Sequence, residues 1–210
     1  MTKHSHADFA TMKSLFDSEA KVSISSWLSL TKKSEAVELS RGSTLQEIYF
    51  NVSHIYFLTS GVAQEFIELE SGKNIIRAFH MAPAVVGNLS DYKRHSISRH
   101  NVTMIEEGSA MRIPCQALID LMSECPDLER WFLINMSQAL LKHQHRLQSL
   151  LQLENEQRLE AFFSDQPELA STLSSQHISE YLNVPAVIVN IVRKGYKKAS
   201  KQREHSLMSA

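Results

Sequence analysis

Only two cysteines, six glycines and five prolines occur in this chain of 210 residues, and each scarcity removes a class of protein. Cys115 and Cys125 form no CxxC pair and have no metal-ligand spacing. They are too few for an iron–sulfur cluster, which takes about four thiolates, and nothing marks a haem ligand among the ten histidines. Six glycines leave little room for a phosphate-cradling loop, and the G-x-S-x-G, P-loop and HExxH patterns are all missing, so no enzyme is expected. No apolar run approaches the about 18 residues of a membrane span. The N-terminus, MTKHSHADFATMK, lacks the apolar centre of a secretory signal. A cytoplasmic protein with reduced thiols and no membrane partner is therefore expected. A net charge of −1 excludes a uniformly basic coat for nucleic acid.

The charge is uneven, however. Residues 170–210 hold six Lys/Arg (Arg193, Lys194, Lys197, Lys198, Lys201, Arg203) against Glu180 and Glu204, a local net charge of +4. The rest of the chain carries −5. Such a split suits a C-terminal module near phosphate, and it also suits a merely solvated end.

Hydrophobic periodicity divides the chain into three parts. Phe9, Met12, Leu15 and Phe16, then Val22, Trp27, Leu28 and Leu30, repeat at helical spacing. Between Glu35 and Ile113 the runs VEL, IYF, HIYFL, VAQEFIEL, IIRAF and NVTMI are short and β-like. Turn pairs at Arg41-Gly42, Ser60-Gly61, Ser71-Gly72 and Glu107-Gly108 separate them, as in an antiparallel roll around one core. Pro126, followed by Asp127 and Glu129, opens a long helix to about Glu154. In it Leu133, Met136, Leu140, His143, Leu147 and Leu150 advance by alternating threes and fours. That is a dimerisation seam or, over so short a length, the buried stripe of an amphipathic helix. Leu159, Phe162 and Phe163 mark a short helix ended at Ser164-Asp165-Gln166-Pro167.

The stretch SSQHISEYLNVPAVIVNIVRK, residues 174–194, has the interior of a helix-turn-helix. Ile178, Leu182, Val184, Val189 and Val192 fall where two crossing helices bury side chains, and Ser179 is small at their closest approach. Asn183 stands at the turn, where a residue tolerating positive φ is needed. Pro185, Ala186, Val187, Asn190 and Ile191 then face outward, and of these only Asn190 can pair bidentately with a base edge. Beyond Gly195-Tyr196 the sequence is polar and basic without a strand pattern, so a two-stranded wing is missing or vestigial.

The order roll, long helix, helix-turn-helix resembles the catabolite-activator/FNR-type family of bacterial transcription regulators. HIYFLTSGVAQEFIELESGKNIIRAFHM is similar to the family's central strands, VVGN around Gly87 to the start of its phosphate-binding cassette, and QRLEAFFSDQPELASTLSSQHISEYLNV to its DNA-binding junction. The resemblance implies an α+β fold in which an N-terminal antiparallel, cyclic-nucleotide-binding-like β-roll with its helices spans 1–125. A dimerisation helix then spans 126–154, and a helix-turn-helix DNA-binding domain with a basic tail spans 155–210. It also implies DNA and a second copy of the chain as partners, with RNA polymerase or another protein as a further one.

In the family a Glu after the cassette glycine and an Arg about ten residues on hold the nucleotide. Here the Glu position is Asn88, and Ser98 aligns with the Arg, with Arg99 one residue past it. Gly87, Asn88, Ser98 and Arg99 are thus the candidate ligand residues. No cofactor is assigned: a ligand-free structural roll is preferred over a different small ligand or a cyclic nucleotide. The family's base-reading Arg, Glu and Arg correspond to Ala186, Val187 and Ile191, which leaves Asn190 as the main base contact. Phosphate contacts fall to Ser175, Gln176, Arg193, Lys194, Lys197 and Lys198. The alternative is a diverged member that uses Val187, Ile188 and Ile191 to bind a protein.

No metal is expected. His143 and His145 point apart on a helix, His95 and His100 lie in the cassette loop, and His4 and His6 sit near the chain end. His143 meets its own copy in a parallel seam, where protonation loosens the dimer, or else stays neutral and bonded. Cys115 is read as a small buried hydrophobe rather than a nucleophile.

Overall fold

The computed structural model describes residues 3–19, 21–89, 92 and 96–207, with side chains described over 9–17, 21–89, 92 and 96–196. His95 and the side chains of His4, His6, Lys197 and Lys198 lie outside the described residues. The chain forms two compact units, Met1–Leu140 and Leu141–Ala210.

The first unit opens with α1 (Lys3–Glu19) and α2 (Ile24–Lys33). Ser23 caps α2 by accepting from the Ser26 amide, while the Asp127 carboxylate accepts from the Ser23 amide at 2.8 Å and the Ser26 hydroxyl at 2.7 Å. Eight strands follow among the described residues: β1 (Glu35–Leu39), β2 (Thr44–Gln46), β3 (His54–Leu58), β4 (Val62–Glu68), β5 (Asn74–Met81), β6 (Ala84–Val86), β7 (Asn101–Glu106) and β8 (Gly108–Pro114). They pair antiparallel in two four-stranded sheets ordered β1-β8-β3-β6 and β2-β7-β4-β5, which is the expected roll. Leu39, Leu58, Ala63, Val86, Val102, Met104 and Ala110 fill the space between the sheets.

A second core lies where the helices cover the roll. Phe16 stacks on Trp131 at 3.8 Å between ring centroids, and both pack with Phe57, Met111, Ile113 and Leu118. Leu118 comes from α3 (Cys115–Glu124), and Trp131 from α4 (Pro126–Gln152). The first compact unit therefore extends past residue 125, because Leu128, Trp131 and Phe132 on the opening turns of α4 belong to its core. Cys115 is fully buried, and burial pushes its thiol up to about 11, which leaves it protonated at neutral pH.

Two local readings are corrected here. IYF (48–50) is a turn and not a strand: Tyr49 has φ 70°, the Phe50 amide donates to Glu47 O, and the Ile48 amide donates to Asn101 Oδ1. Three apolar residues are too few to fix a period, and Tyr49 and Phe50 are exposed. Leu28 also departs from its pattern and is exposed on α2.

In the second unit, α4 ends at Gln152 and the chain turns at Leu153. Glu154 opens α5 (Asn155–Asp165) with a reciprocal capping box to Gln157. Then come α6 (Pro167–Thr172), α7 (Ser175–Leu182) and α8 (Ala186–Leu207). No wing strand follows α7 and α8 among the described residues. The expected polar tail is instead a continuation of α8, since the apolar spacing of its first turns passes, with Gly195 as the one weak helix former, into Lys-rich residues of good helix propensity. Gly195 thus sits inside the helix, and a Cβ there would meet nothing within 4 Å. Gly195→Ala is expected to raise stability by about 0.5–1 kcal/mol, because alanine restricts the unfolded chain without strain. A thermal melt that leaves the midpoint unchanged or lower would count against the continuous helix.

Candidate functional site

The helix-turn-helix is built as its sequence demands. Ser174 caps α7 by accepting from the His177 amide, and Asn183 ends it in the left-handed region with φ 52° and ψ 50°. A short carboxamide side chain tolerates that conformation, so the turn closes without glycine. Ile178, Leu182, Val184 and Val189 are buried between α7 and α8.

On the outer side, Val187, Asn190, Ile191 and Lys194 follow the i, i+3, i+4, i+7 spacing of one helix face, and all four are exposed. Val187 is 69% and Ile191 65% exposed. The Ser175 hydroxyl donates to Asn190 Oδ1 at 2.7 Å and lies 3.4 Å from Arg193 Nη1. Arg193 was expected to be a phosphate hand. Its guanidinium instead donates to Ala170 O at 3.0 Å and Ser171 O at 3.3 Å, at the last turn of α6, because it leaves α8 on the side facing that turn. Gln176 is exposed and donates to Glu180 one turn on. Ser175 and Arg193 therefore orient Asn190, while Lys194 projects freely into solvent.

Two further arginines hold the unit together, and neither stood out in the sequence. Arg158, buried to 8% exposure, donates to Leu153 O at 2.8 Å and Leu182 O at 2.6 Å, with Leu150 O and Asn183 O farther off. Arg146 donates to Tyr181 O at 2.8 Å and lies 4.5 Å over the Tyr181 ring.

The roll contains a polar cluster of its own. Residues directly paired across antiparallel strands share a face, and Ala63 pairs with Met104 and His80 while Val102 pairs with Glu65 and Gln46. Since Ala63, Val102 and Met104 belong to the core between the sheets, Glu65, His80 and Gln46 point inward too. The Glu65 carboxylate lies 3.3 Å from Arg77 Nη1, 3.3 Å from His80 Nε2 and 3.7 Å from His100 Nε2. Arg77 Nη1 also lies 3.0 Å from His100 Nδ1, and Gln46 Nε2 lies 3.2 Å from His100 Nε2. Burial pushes the Glu65 carboxyl up, but the His80 hydrogen bond and the charges of His100, His80 and Arg77 outweigh it and hold the group at about 2.

Of the expected ligand residues, Ser98 is tied to this cluster. Gly87 has φ 124° and is pressed against β3, where a Cβ would come 2.9 Å from Ile55 Cδ1. Asn88 follows it, half-buried. Ser98 is fully buried, accepts from Gln46 Nε2 and donates to His100 O, and its backbone pairs with Tyr49 and Phe50. It ties the cluster to the backbone of the approach to β7. Arg99 points to solvent.

FixK2 from Bradyrhizobium japonicum superimposes on the chain with a TM-score of 0.71, covering 80% of this chain and 86% of its own at 15% identity. The c-di-GMP responsive global regulator CLP of Xanthomonas campestris gives 0.67 over 85% and 93% at 11% identity. A protein from Eubacterium rectale described as a crp/fnr-family transcriptional regulator gives 0.64 over 85% of each chain at 9% identity. This is the catabolite-activator/FNR-type regulator fold. The sequence matches no protein-family model and no curated protein.

In a chain of this fold the long helix α4 is the remaining candidate surface. Leu133, Met136, Leu140 and Leu147 are each more than half exposed, as are Leu141 and Leu151. His143 is exposed and Leu150 half-buried. Most of the stripe is thus exposed, and the buried residues of α4 (Leu128, Trp131 and Phe132) are confined to its first two turns.

Proposed function

We propose that the chain is a homodimeric DNA-binding transcription regulator of the catabolite-activator/FNR type, whose roll does not take a cyclic nucleotide in the usual way. The observation that carries the DNA-binding reading is the exposed stripe of α8 within the +4 segment, with Asn190 held ready by Ser175. A carboxamide so placed accepts from adenine N6 and donates to N7 in the major groove. Lys194 supplies a phosphate contact, as do Lys197 and Lys198 farther along the same helix. The uncovered leucine and methionine stripe on α4 supports self-association, since an apolar seam at this spacing is satisfied by a second helix. For the roll, an entering phosphate meets the Glu65 carboxylate, and the nearest guanidinium, Arg77, is already engaged by it. Asn88 in place of a glutamate removes the ribose-binding charge.

One observation favours a second reading. Val187 and Ile191 are apolar and exposed where DNA readers carry polar groups, which suits a module that binds a protein. Selection from a random-sequence duplex pool, at low and at physiological salt, separates the two. The regulator is expected to enrich a palindrome with half-sites about one helical turn apart and to weaken steeply as salt rises. Retention of no duplex at either salt would replace this reading with the protein-binding module.

A further inference from the structure

We infer that the recognition helix reads A·T base pairs through thymine methyl groups, with Val187 and Ile191 as the methyl-reading pair on either side of Asn190. The inference rests on the DNA-binding reading above and names the sequence class that the same site takes.

The argument starts from what the stripe holds. Val187, Asn190 and Ile191 lie in the first two turns of α8, the part of a recognition helix that reaches base edges. Guanine is most often read by a bidentate arginine or lysine. The one arginine among the described side chains of α8, Arg193, is withdrawn to the carbonyls of Ala170 and Ser171. Lys194 stands a turn farther from the base-reading end, at the level of the backbone phosphates. Guanine therefore has no partner in those first two turns, whereas adenine has one in Asn190.

The apolar pair fits the other half of an A·T pair. In the major groove the only apolar feature of a base edge is the thymine C5-methyl. Val187 and Ile191 are one turn apart, so their Cβ atoms are about 6 Å from each other. Base pairs rise by about 3.4 Å, so the two side chains meet methyls on adjacent or next-but-one base pairs. Asn190 lies between them along the helix axis, at one edge of the same face, and addresses an adenine in the same short run. Its carbonyl keeps one lone pair after accepting from Ser175, and its amide protons remain free for N7. Charge decides the occupant. This apolar pair is embedded in a segment of net charge +4, carrying Lys194 on the same stripe, and that suits a polyanion with methyl groups better than an apolar protein patch.

The test replaces thymine by uracil, which deletes the methyl and keeps the pairing. The full-length protein is titrated with its best enriched duplex from the random pool, made once with thymine and once with uracil throughout. The wild type is expected to enrich an A·T-rich half-site and to bind the uracil duplex about tenfold more weakly, as for the loss of a pair of base contacts. The Val187→Ala, Ile191→Ala double variant, altered only at exposed positions, is expected to bind both duplexes equally. Equal wild-type affinity for the thymine and uracil duplexes would overturn methyl reading while leaving DNA binding intact. So would enrichment of a G·C-rich site, or a variant that still discriminates. Retention of no duplex would overturn this inference together with the reading beneath it, and would leave the apolar pair to a protein partner.

Discussion

Replacing Arg158 with leucine is expected to lower the melting temperature of the helix-turn-helix unit by about 15 °C, equivalent to about 3 kcal/mol or more in a unit of this size. The guanidinium is buried without a carboxylate partner among the described residues. Its counter-charge is the paired dipole ends of two helices: Leu150 and Leu153 at the end of α4, and Leu182 and Asn183 at the end of α7. Each helix C-terminus carries roughly half a negative charge, so one cation between two of them is balanced. Leucine fills the volume but orphans the carbonyls of Leu153 and Leu182, each costing about 1–3 kcal/mol when buried. Arg158→Lys keeps the charge but loses the fork that reaches both helix ends, and about half the loss is expected. Calorimetry of the full chain is expected to show the transition of the second unit moving alone. Hydrogen exchange is expected to rise in α7 and the first turns of α8 and to stay constant in β3 and β8. A single transition that shifts as a whole would show that Arg158 is not a local tie.

How much of this was legible in the residues depends on range. The helix-turn-helix was readable because its determinants are local: Asn183 and five apolar positions fix turn and crossing within about 20 residues. The roll was readable as a class from turn spacing, but its strands were not all found. β2, β6 and β8 were missed or only partly seen, since short strands take their identity from partners far away, as Thr44 does from Thr103. IYF failed for the same reason in reverse. The stripe on α4 was legible as a pattern, but the exposure of its leucines was not.

The side chains that govern the candidate sites were the least legible. Arg193 reads as a free basic residue in a basic segment, yet the carbonyls that claim it, at Ala170 and Ser171, come from another helix. The Glu65 cluster gathers residues from β2, β4, β5 and the approach to β7. One sign of it was available: Glu65 and His80 occupy inward positions of strands whose alternation places Ala63 and Ala78 on the same face. A charge at an inward position demands a partner. Its partners could not be named until the register was known.

That cluster sets the second large effect, an acid lability of the roll that Glu65→Gln removes. The carboxyl is held at about 2 in the folded chain against an ordinary 4.5. Its folded value is depressed, so its contribution to stability is fully present above about 4.5 and is lost as the pH falls from there towards 2. A shift of this size corresponds to about 3 kcal/mol, and the side chain is only 12% exposed, so solvent screens little of it. Denaturant midpoints of the wild type and of Glu65→Gln, taken at pH 6, 4 and 3, isolate the group, because every other carboxylate titrates in both proteins. The variant is expected to be less stable by about 3 kcal/mol at pH 6. The two curves should draw together as the pH approaches 2, since protonated Glu65 resembles glutamine. Curves that stay parallel from pH 6 to 3 would mean that Arg77, His80 and His100 do not stabilise this carboxylate.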